Sequence, residues 1–544
     1  MTTPADHREL EWQLAATDLD GVRKWLMTKR PGAEGWYCKP RATVEHHDIY
    51  LDTDDWRIHR AGFALRVRDA SGRHEATLKE LRPARDGFAD RRELSEPLAD
   101  AGDEGVAAWV GPVGARVRAV AGARALRTLF HVRTQRERFG IGRAGSDAGA
   151  GELALDSTTI SAPDGAVRAT LQRVEVEASG NDSEPLVEFV LALRRECALE
   201  AAADNKYACG LAALALVPPA APELGPTGID RDLRIDEVGY AVLRLGLLAW
   251  YANEPGARLG DDPEALHDLR VAGRRMESAL GFFEADLPAR LVRLRPRLKQ
   301  VVRTLGATRD LDIALSQLEA FRRELEPFRQ EALNVLRGRL EAERLRARAK
   351  MLRALDAVAT QRMLARLERL ITLPAGQRRR SRHLPAVEVM PDLLRARYRK
   401  LRKAIAPLAA DSPAGELHAA RGKVKNLRYA TEAVTAIYGK PAEEFLRVLR
   451  QLQNRLGEQH DAHVAQERLH ALLRHPPRGV NGAMMFQFGR VAERYAAADR
   501  QARRGIAKPR DRLRKRWKKL RRRLNEANAP VAIPARSLDP DSRP

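Results

Sequence analysis

The stretch HDLRVAGRRM beginning at His267 returns as HAARGKVKNL beginning at His418, 151 residues later. The same displacement carries Arg270 onto Arg421, Arg274 onto Lys425, Leu305-Gly306 onto Leu456-Gly457, and Asp310 onto Asp461. Matches that share one register mark an internal duplication, so this region must fold as two copies of one unit. The spacing inside each copy is helical. His267, Arg270 and Arg274 stand at i, i+3 and i+7, which places an imidazole and two guanidinium groups on one helix face, and His418, Arg421 and Lys425 repeat the pattern. Asp262-Pro263 and Ser412-Pro413 read as N-cap and first-turn signals ahead of each block.

An isolated basic stripe is most often a solvated or salt-bridged face, because exposed ion pairs are common and weak. Repetition in register favours a second reading, in which two matched faces line a shared groove for an anion. Protonation of the histidines would then tighten binding as pH falls through the imidazole range. Charge is unevenly spread: residues 1–225 hold 30 Lys+Arg against 35 Asp+Glu, and the remainder 66 against 38. The whole basic excess lies in the helical region, which points to a polyanionic partner. Aromatics make up 5% of the chain, and no zinc-ligand spacing or stacking motif appears, which argues against nucleic acid. A linear phosphate polymer needs charge without base stacking.

Each repeated block is followed by LGxxxD, as LGATRD from Leu305 and LGEQHD from Leu456. In these features residues 229–525 resemble the CHAD domain, the conserved histidine alpha-helical domain, with halves at about 229–375 and 390–525. The resemblance implies an all-α, internally duplicated helical bundle that binds inorganic polyphosphate, through His267, Arg270, Arg274, His418, Arg421 and Lys425. The second copy departs from the first in having Gly422 for Val271 and His463 for Asp312.

Ahead of the duplication the apolar period changes from helical to alternating. Glu9, Glu11 and Gln13 alternate with Leu10, Trp12 and Leu14, the signature of a strand with one polar and one apolar face. Further alternations place Arg66 with Arg68, Thr77 with Lys79, Arg91 with Glu93, Glu152 with Asp156, and Glu175 with Glu177. A single such strand usually turns its polar face to water. Here large charges of both signs recur strand after strand. Paired carboxylates suit a hard divalent cation and paired Arg and Lys suit phosphate oxygens, so both facing the inside of one barrel would bind a metal-associated polyphosphate.

The ExE strand, YLDT at 50–53, FALRVRD at 63–69, TLK at 77–79, ALD at 154–156, EVE at 175–177 and DNKYACGL from Asp204 together resemble the CYTH family of triphosphate tunnel enzymes. The resemblance implies, for residues 1–215, an antiparallel eight-stranded β-tunnel, making the whole chain an α+β two-domain protein. It also implies Mg²⁺ or Mn²⁺ held by Glu9, Glu11, Asp156, Glu175 and Glu177, and phosphate gripped by Arg66, Arg68, Lys79, Arg136 and Lys206. Glu9, Glu11, Arg66, Arg68 and Lys79 would carry catalysis. The implied activity is a divalent-metal-dependent inorganic triphosphatase acting on tripolyphosphate.

One departure bears on that activity. The family signature is ExExK, and this chain carries Gln13 where the lysine belongs. Losing that charge in a water-poor tunnel removes several kcal/mol of electrostatic stabilisation, on the order of a hundredfold or more in rate. The alternative is therefore a non-catalytic, polyphosphate-binding or granule-associated protein.

Residues 216–228 read as a proline-rich linker. From Asp236 the pattern is helical, with Val238, Val242, Leu245 and Ala249 on one stripe. The RRRSR cluster at 378–382 reads as a connection between the halves. His383, His463 and His470 suggest no metal, and His460 reads equally as a helix-end or a phosphate contact. Leu513, Trp517, Leu520 and Leu524 make an apolar stripe on a strongly cationic final helix, and 528–544 reads as a disordered tail. Cys38, Cys197 and Cys209 form no paired framework, and nowhere do 18 apolar residues run together, so a cytoplasmic protein without a membrane span is expected.

Overall fold

The computed structural model describes residues 6–27, 35–99, 106–143, 149–180, 182–219, 221–326, 330–373, 384–475 and 480–526. The RRRSR cluster, His383 and the tail 528–544 lie outside them. The chain divides into two compact units, residues 1–222 with 252–262, and residues 223–251 with 263–544.

Among the described residues the first unit is built on ten strands: β1 (Asp6–Ala15), β2 (Trp36–Pro40), β3 (Val44–Thr53), β4 (Phe63–Ala70), β5 (Arg73–Glu80), β6 (Phe88–Leu98), β7 (Leu126–Arg143), β8 (Gly151–Ser161), β9 (Val167–Ala178) and β10 (Glu200–Ala201). Eight of them close an antiparallel barrel in the order β1-β6-β5-β4-β3-β7-β8-β9, and β9 pairs back onto β1. The antiparallel eight-stranded tunnel that the family resemblance implies is present. The two short strands are additions to it, β2 extending the far end of β7 and β10 lying against the end of β1.

This barrel is polar inside and apolar outside. Because side chains alternate across a strand, turning Glu9, Glu11 and Gln13 inward sends Leu10, Trp12 and Leu14 outward. Those three pack with Leu186, Phe189 and Leu193 of the Glu184–Glu196 helix and with Val22 and Leu26 of the Leu19–Leu26 helix. On another flank Leu65, Val67 and Leu78 meet Val113, Val117 and Val120 of the Pro112–Ala121 helix. The hydrophobic effect is thus satisfied on the outer wall, which leaves the interior free to be charged.

The second unit is helical, and its elements repeat. Helices Ile235–Leu259, Pro263–Phe282, Arg295–Arg323, Asn334–Asp356 and Val358–Thr372 are followed in the same order by Ala386–Ile405, Ala414–Glu432, Lys440–Arg474, Gly482–Arg504 and Ala507–Glu526. The starts at Ile235 and Ala386, and at Pro263 and Ala414, keep the 151-residue displacement. Leu513, Trp517, Leu520 and Leu524 are all buried, and Trp517 stacks on Tyr398 with ring centroids 4.1 Å apart.

Three local expectations change. Ser412 does not cap the second motif helix; its Oγ accepts from Ala409 N at 3.0 Å, and Pro413 stands at the N-cap. Leu245 is exposed, because the deep face of its helix is formed by Tyr240, Leu243, Leu247 and Trp250. His460 lies in mid-helix and not at a helix end, since the Lys440–Arg474 helix runs unbroken through LGEQHD. Among the described residues no helix is long and apolar enough to cross a membrane.

Candidate functional site

The barrel encloses a cavity of about 240 Å³ lined by charges of both signs, among them Glu9, Glu11, Arg66, Lys79, Arg136 and Lys206. Strand register sets the neighbours. Across the closing seam Glu11 is paired with Glu177 and Gln13 with Glu175, and on the other side of β1 Glu9 is paired with Arg91.

Three groupings result. In the first, Lys79 Nζ is ion-paired with Glu9 and lies 3.0 Å from Glu11 Oε1 and 3.9 Å from Glu93. Burial disfavours the Lys79 ammonium, but Glu11, Glu9 and Glu93 outweigh it and hold the lysine charged. Glu11 also accepts from Gln13 Nε2 at 2.7 Å and from Arg91 Nη1 at 3.5 Å. In the second, Asp48 is buried between Arg68, at 2.7 and 2.9 Å, and Arg66, at 3.8 Å. Burial pushes the Asp48 carboxyl up, yet Arg68 and Arg66 hold it well below the usual range. In the third, Arg136 and Lys206 converge on Asp156 and Glu175, with Arg136 2.6 Å from Asp156 and Lys206 3.0 Å from Glu175. Glu175 is held well below the usual range despite burial, by Lys206 and then Arg136.

The five carboxylates expected on the metal side therefore do not form one cluster. Asp156 is wholly buried beneath Arg136 and Lys206 and is not among the residues lining the cavity. Glu175 is bound to the same two cations. Among the described residues no three His, Cys, Asp or Glu side chains stand ready to hold an ion, because Lys and Arg occupy the spaces between them. The surplus of negative charge is at Glu9, Glu11 and Glu177. Burial, then Glu9 and Glu11, raise Glu177 to about 8, and burial followed by Glu9 raises Glu11. Lys79 relieves that repulsion only in part, and carboxylate oxygens of this kind are the donors that suit a divalent cation.

Asp48 and Arg91 were not singled out from the sequence. Arg91 was visible in the alternation of β6. Asp48 carried a weaker signal, its place two residues before Tyr50 on the inward face of β3. Asp52 of YLDT serves the fold instead, accepting from Ile58 N at 2.9 Å and His59 N at 2.8 Å at the start of a short helix.

In the helical unit the two motif faces do meet. Arg270, Arg274 and Arg421 lie close enough to Lys425 that, after burial, they lower its ammonium to about 7. Arg270 Nε, Arg274 Nε and Arg421 Nε are buried and find no hydrogen-bond partner. His418 Nδ1 lies 3.4 Å from His460 Nδ1, while His267 stays within its own motif helix beside Arg270. The leucine of each LGxxxD is buried, and the glycine after it lies against the motif arginine at ordinary contact distance: a Cβ on Gly306 would stand 4.0 Å from Arg270 Cδ, and one on Gly457 3.7 Å from Arg421 Nη2.

A charged β-tunnel and two apposed cationic helix faces define the class of protein, and comparison with known families agrees. The CYTH domain matches residues 22–203 and the CHAD domain residues 241–470, so the chain joins a CYTH domain to a CHAD domain. The solved CHAD domain of the plant Ricinus communis is 25% identical, covering 53% of this chain and 96% of its own, with a TM-score of 0.43. PptA from Streptomyces chartreusis is 20% identical over 51% of this chain and 99% of its own, with a TM-score of 0.41. For the tunnel, HpAC1 from Hippeastrum, a candidate adenylyl cyclase with a dominant triphosphatase activity, is 19% identical over 38% of this chain and 95% of its own, with a TM-score of 0.29. No curated protein matches the chain.

Proposed function

We propose that the tunnel hydrolyses inorganic tripolyphosphate with a divalent cation, Mg²⁺ or Mn²⁺, and that the helical domain binds inorganic polyphosphate. The observation that carries this reading is the set of half-buried cations, Arg66, Lys79, Arg136 and Lys206, converging on one cavity in a triphosphate tunnel fold. Their carboxylate partners hold them in place before substrate arrives. A triphosphate then replaces those partners with its own oxygens, at little reorganisation cost.

Glu9, Glu11 and Glu177 would hold the ion, which when bound polarises a phosphoryl group and lowers the pKa of water. Asp156 and Asp48 act as positioning residues, aiming Arg136 with Lys206 and Arg66 with Arg68. In the helical domain Arg270, Arg274, Arg421 and Lys425 grip the polymer, and His267 and His418 flank them. A cytoplasmic location, with or without polyphosphate granules, accords with three unpaired cysteines.

A second reading, a tunnel that binds without cleaving, is favoured by one contact. Gln13 gives Glu11 a hydrogen bond but no positive charge. Phosphate release from tripolyphosphate with Mg²⁺ or Mn²⁺ separates the two. Release by the natural protein that is lost in Glu9→Ala/Glu11→Ala establishes the triphosphatase, and release only after Gln13→Lys establishes the binding tunnel. For the helical domain, Arg270→Ala/Arg421→Ala should weaken polyphosphate binding with helical circular dichroism intact; unchanged affinity removes the groove.

A further inference from the structure

The duplication places two pockets at equivalent positions where the two halves meet, each lined by residues of both, and they have opposite chemistry. The first, of about 240 Å³, is lined by Val242, Leu245, Gly246, Ala279 and Phe282, with Arg275 and Glu432 at its polar side. The second, of about 170 Å³, is lined by Arg295, Arg397, Lys400 and Lys423, with Ser278, Gly281 and Asn426. Under the 151-residue displacement Arg397 takes the place of Gly246, Lys400 that of Ala249, Lys423 that of Ala272, and Asn426 that of Arg275. Tyr429 stands for Ser278 and Leu446 for Arg295, and one further exchange decides the charge. Gly281 of the second pocket corresponds to Glu432 of the first, where the carboxylate lies 3.6 Å from Arg275, 3.2 Å from Arg428 and 2.9 Å from Arg450.

So the first pocket is neutralised and the second is not. No carboxylate lines the second pocket, and among the described residues Arg295, Arg397, Lys400 and Lys423 form no ion pair. Arg397 is fixed in advance: Nη2 donates to Gly281 O at 3.1 Å, and its guanidinium lies 4.1 Å from the Phe282 ring centre. Gly281 also admits Arg295, whose Cζ would stand 2.5 Å from a Cβ built there. Four unneutralised cations around a cavity, one of them preorganised, are an arrangement for an anion.

The pocket continues the motif groove. On the Pro263–Phe282 helix, Arg270, Arg274, Ser278 and Gly281 follow at i, i+4, i+8 and i+11, so Ser278 stands one turn, about 6 Å, beyond Arg274 on the same face. At the first pocket, the equivalent exit, the wall is largely apolar and Arg275 is paired with Glu432.

We propose that this pocket is a second phosphate subsite, through which a polyphosphate chain leaves the groove on one side only. The inference rests on the groove reading above. A symmetric duplication would hold the polymer without direction, and the exchanges at the pocket give it one.

The test compares binding of long-chain polyphosphate to the full chain without divalent ions. Lys400→Ala/Lys423→Ala installs the alanines that the first half carries at Ala249 and Ala272. We expect a loss of roughly tenfold, with a shallower salt dependence. Lys299→Ala/Lys518→Ala removes two exposed lysines that do not line the pocket and should cost less than about twofold. Gly281→Glu, which copies the neutralising carboxylate of the first pocket, should match the pocket variant. The tunnel is common to all, so differences report the helical unit. A loss no larger than the Lys299→Ala/Lys518→Ala control overturns the pocket while leaving the groove. Unchanged binding in Arg270→Ala/Arg421→Ala overturns the groove, and with it the extension.

Discussion

Gln13 Nε2 donates to Glu11 Oε1 at 2.7 Å, on a carboxylate that Lys79 reaches at 3.0 Å and Arg91 at 3.5 Å. The amide therefore preserves the geometry of a lysine contact without its charge, and two neighbouring cations supply part of what is missing. Gln13→Lys should raise tripolyphosphate turnover by roughly ten- to a hundredfold, read as kcat for phosphate release. No change would mean that Lys79 and Arg91 already suffice.

Asp48, itself buried, neutralises two guanidinium groups that line the cavity. Asp48→Asn leaves them repelling each other and should cost about 3 kcal/mol in the urea unfolding of the tunnel. The carboxyl is depressed in the folded state, so its contribution is present above its unfolded value near pH 3.9 and fades as pH falls below that. Equal midpoints for the variant and the natural protein at neutral pH would contradict this account.

Lys425, and not a histidine, should govern pH dependence in the groove. Burial, followed by Arg270 and Arg421 respectively, holds His267 and His418 below the usual imidazole range. Lys425 is lowered to about 7 against about 10.4 in an unfolded chain, so between those values the unfolded state binds more protons and stability rises with pH. A bound polyanion favours the charged amine, so polyphosphate affinity should fall several-fold as pH rises through about 7. Lys425→Met should flatten both profiles; a retained affinity change would return the effect to the histidines.

Gly422 stands where the first copy has Val271, exposed in the middle of the Ala414–Glu432 helix with nothing within 4 Å of a Cβ placed on it. Gly422→Ala should stabilise the helical unit by up to about 1 kcal/mol, measured by denaturant midpoint, without altering polyphosphate affinity. Loss of affinity would show that the bare backbone is itself a contact.

Much of the architecture follows from periodicity alone. Alternation in ELEWQL commits Glu9 and Glu11 to one face and Leu10 and Trp12 to the other, and recurrence of that pattern with both charge signs is enough to imply a polar interior. The 151-residue displacement likewise makes the helical domain a double unit with its cations on matched faces. Side-chain direction is a local property of strand and helix, so the sequence carries it.

Which charge neutralises which is a long-range property. Asp156 is drawn to Arg136 and Lys206, and Asp48 to Arg66 and Arg68, because strand register and barrel closure bring them together, and no spacing along the chain encodes that. Leu245, placed by period on the core stripe, instead borders an open pocket, since the orientation of its helix is set by the deeper packing of Tyr240, Leu247 and Trp250. Sequence determined the faces; only closure of the barrel and apposition of the two halves decided the partners, because Coulomb interactions and burial depend on distance in space and not along the chain.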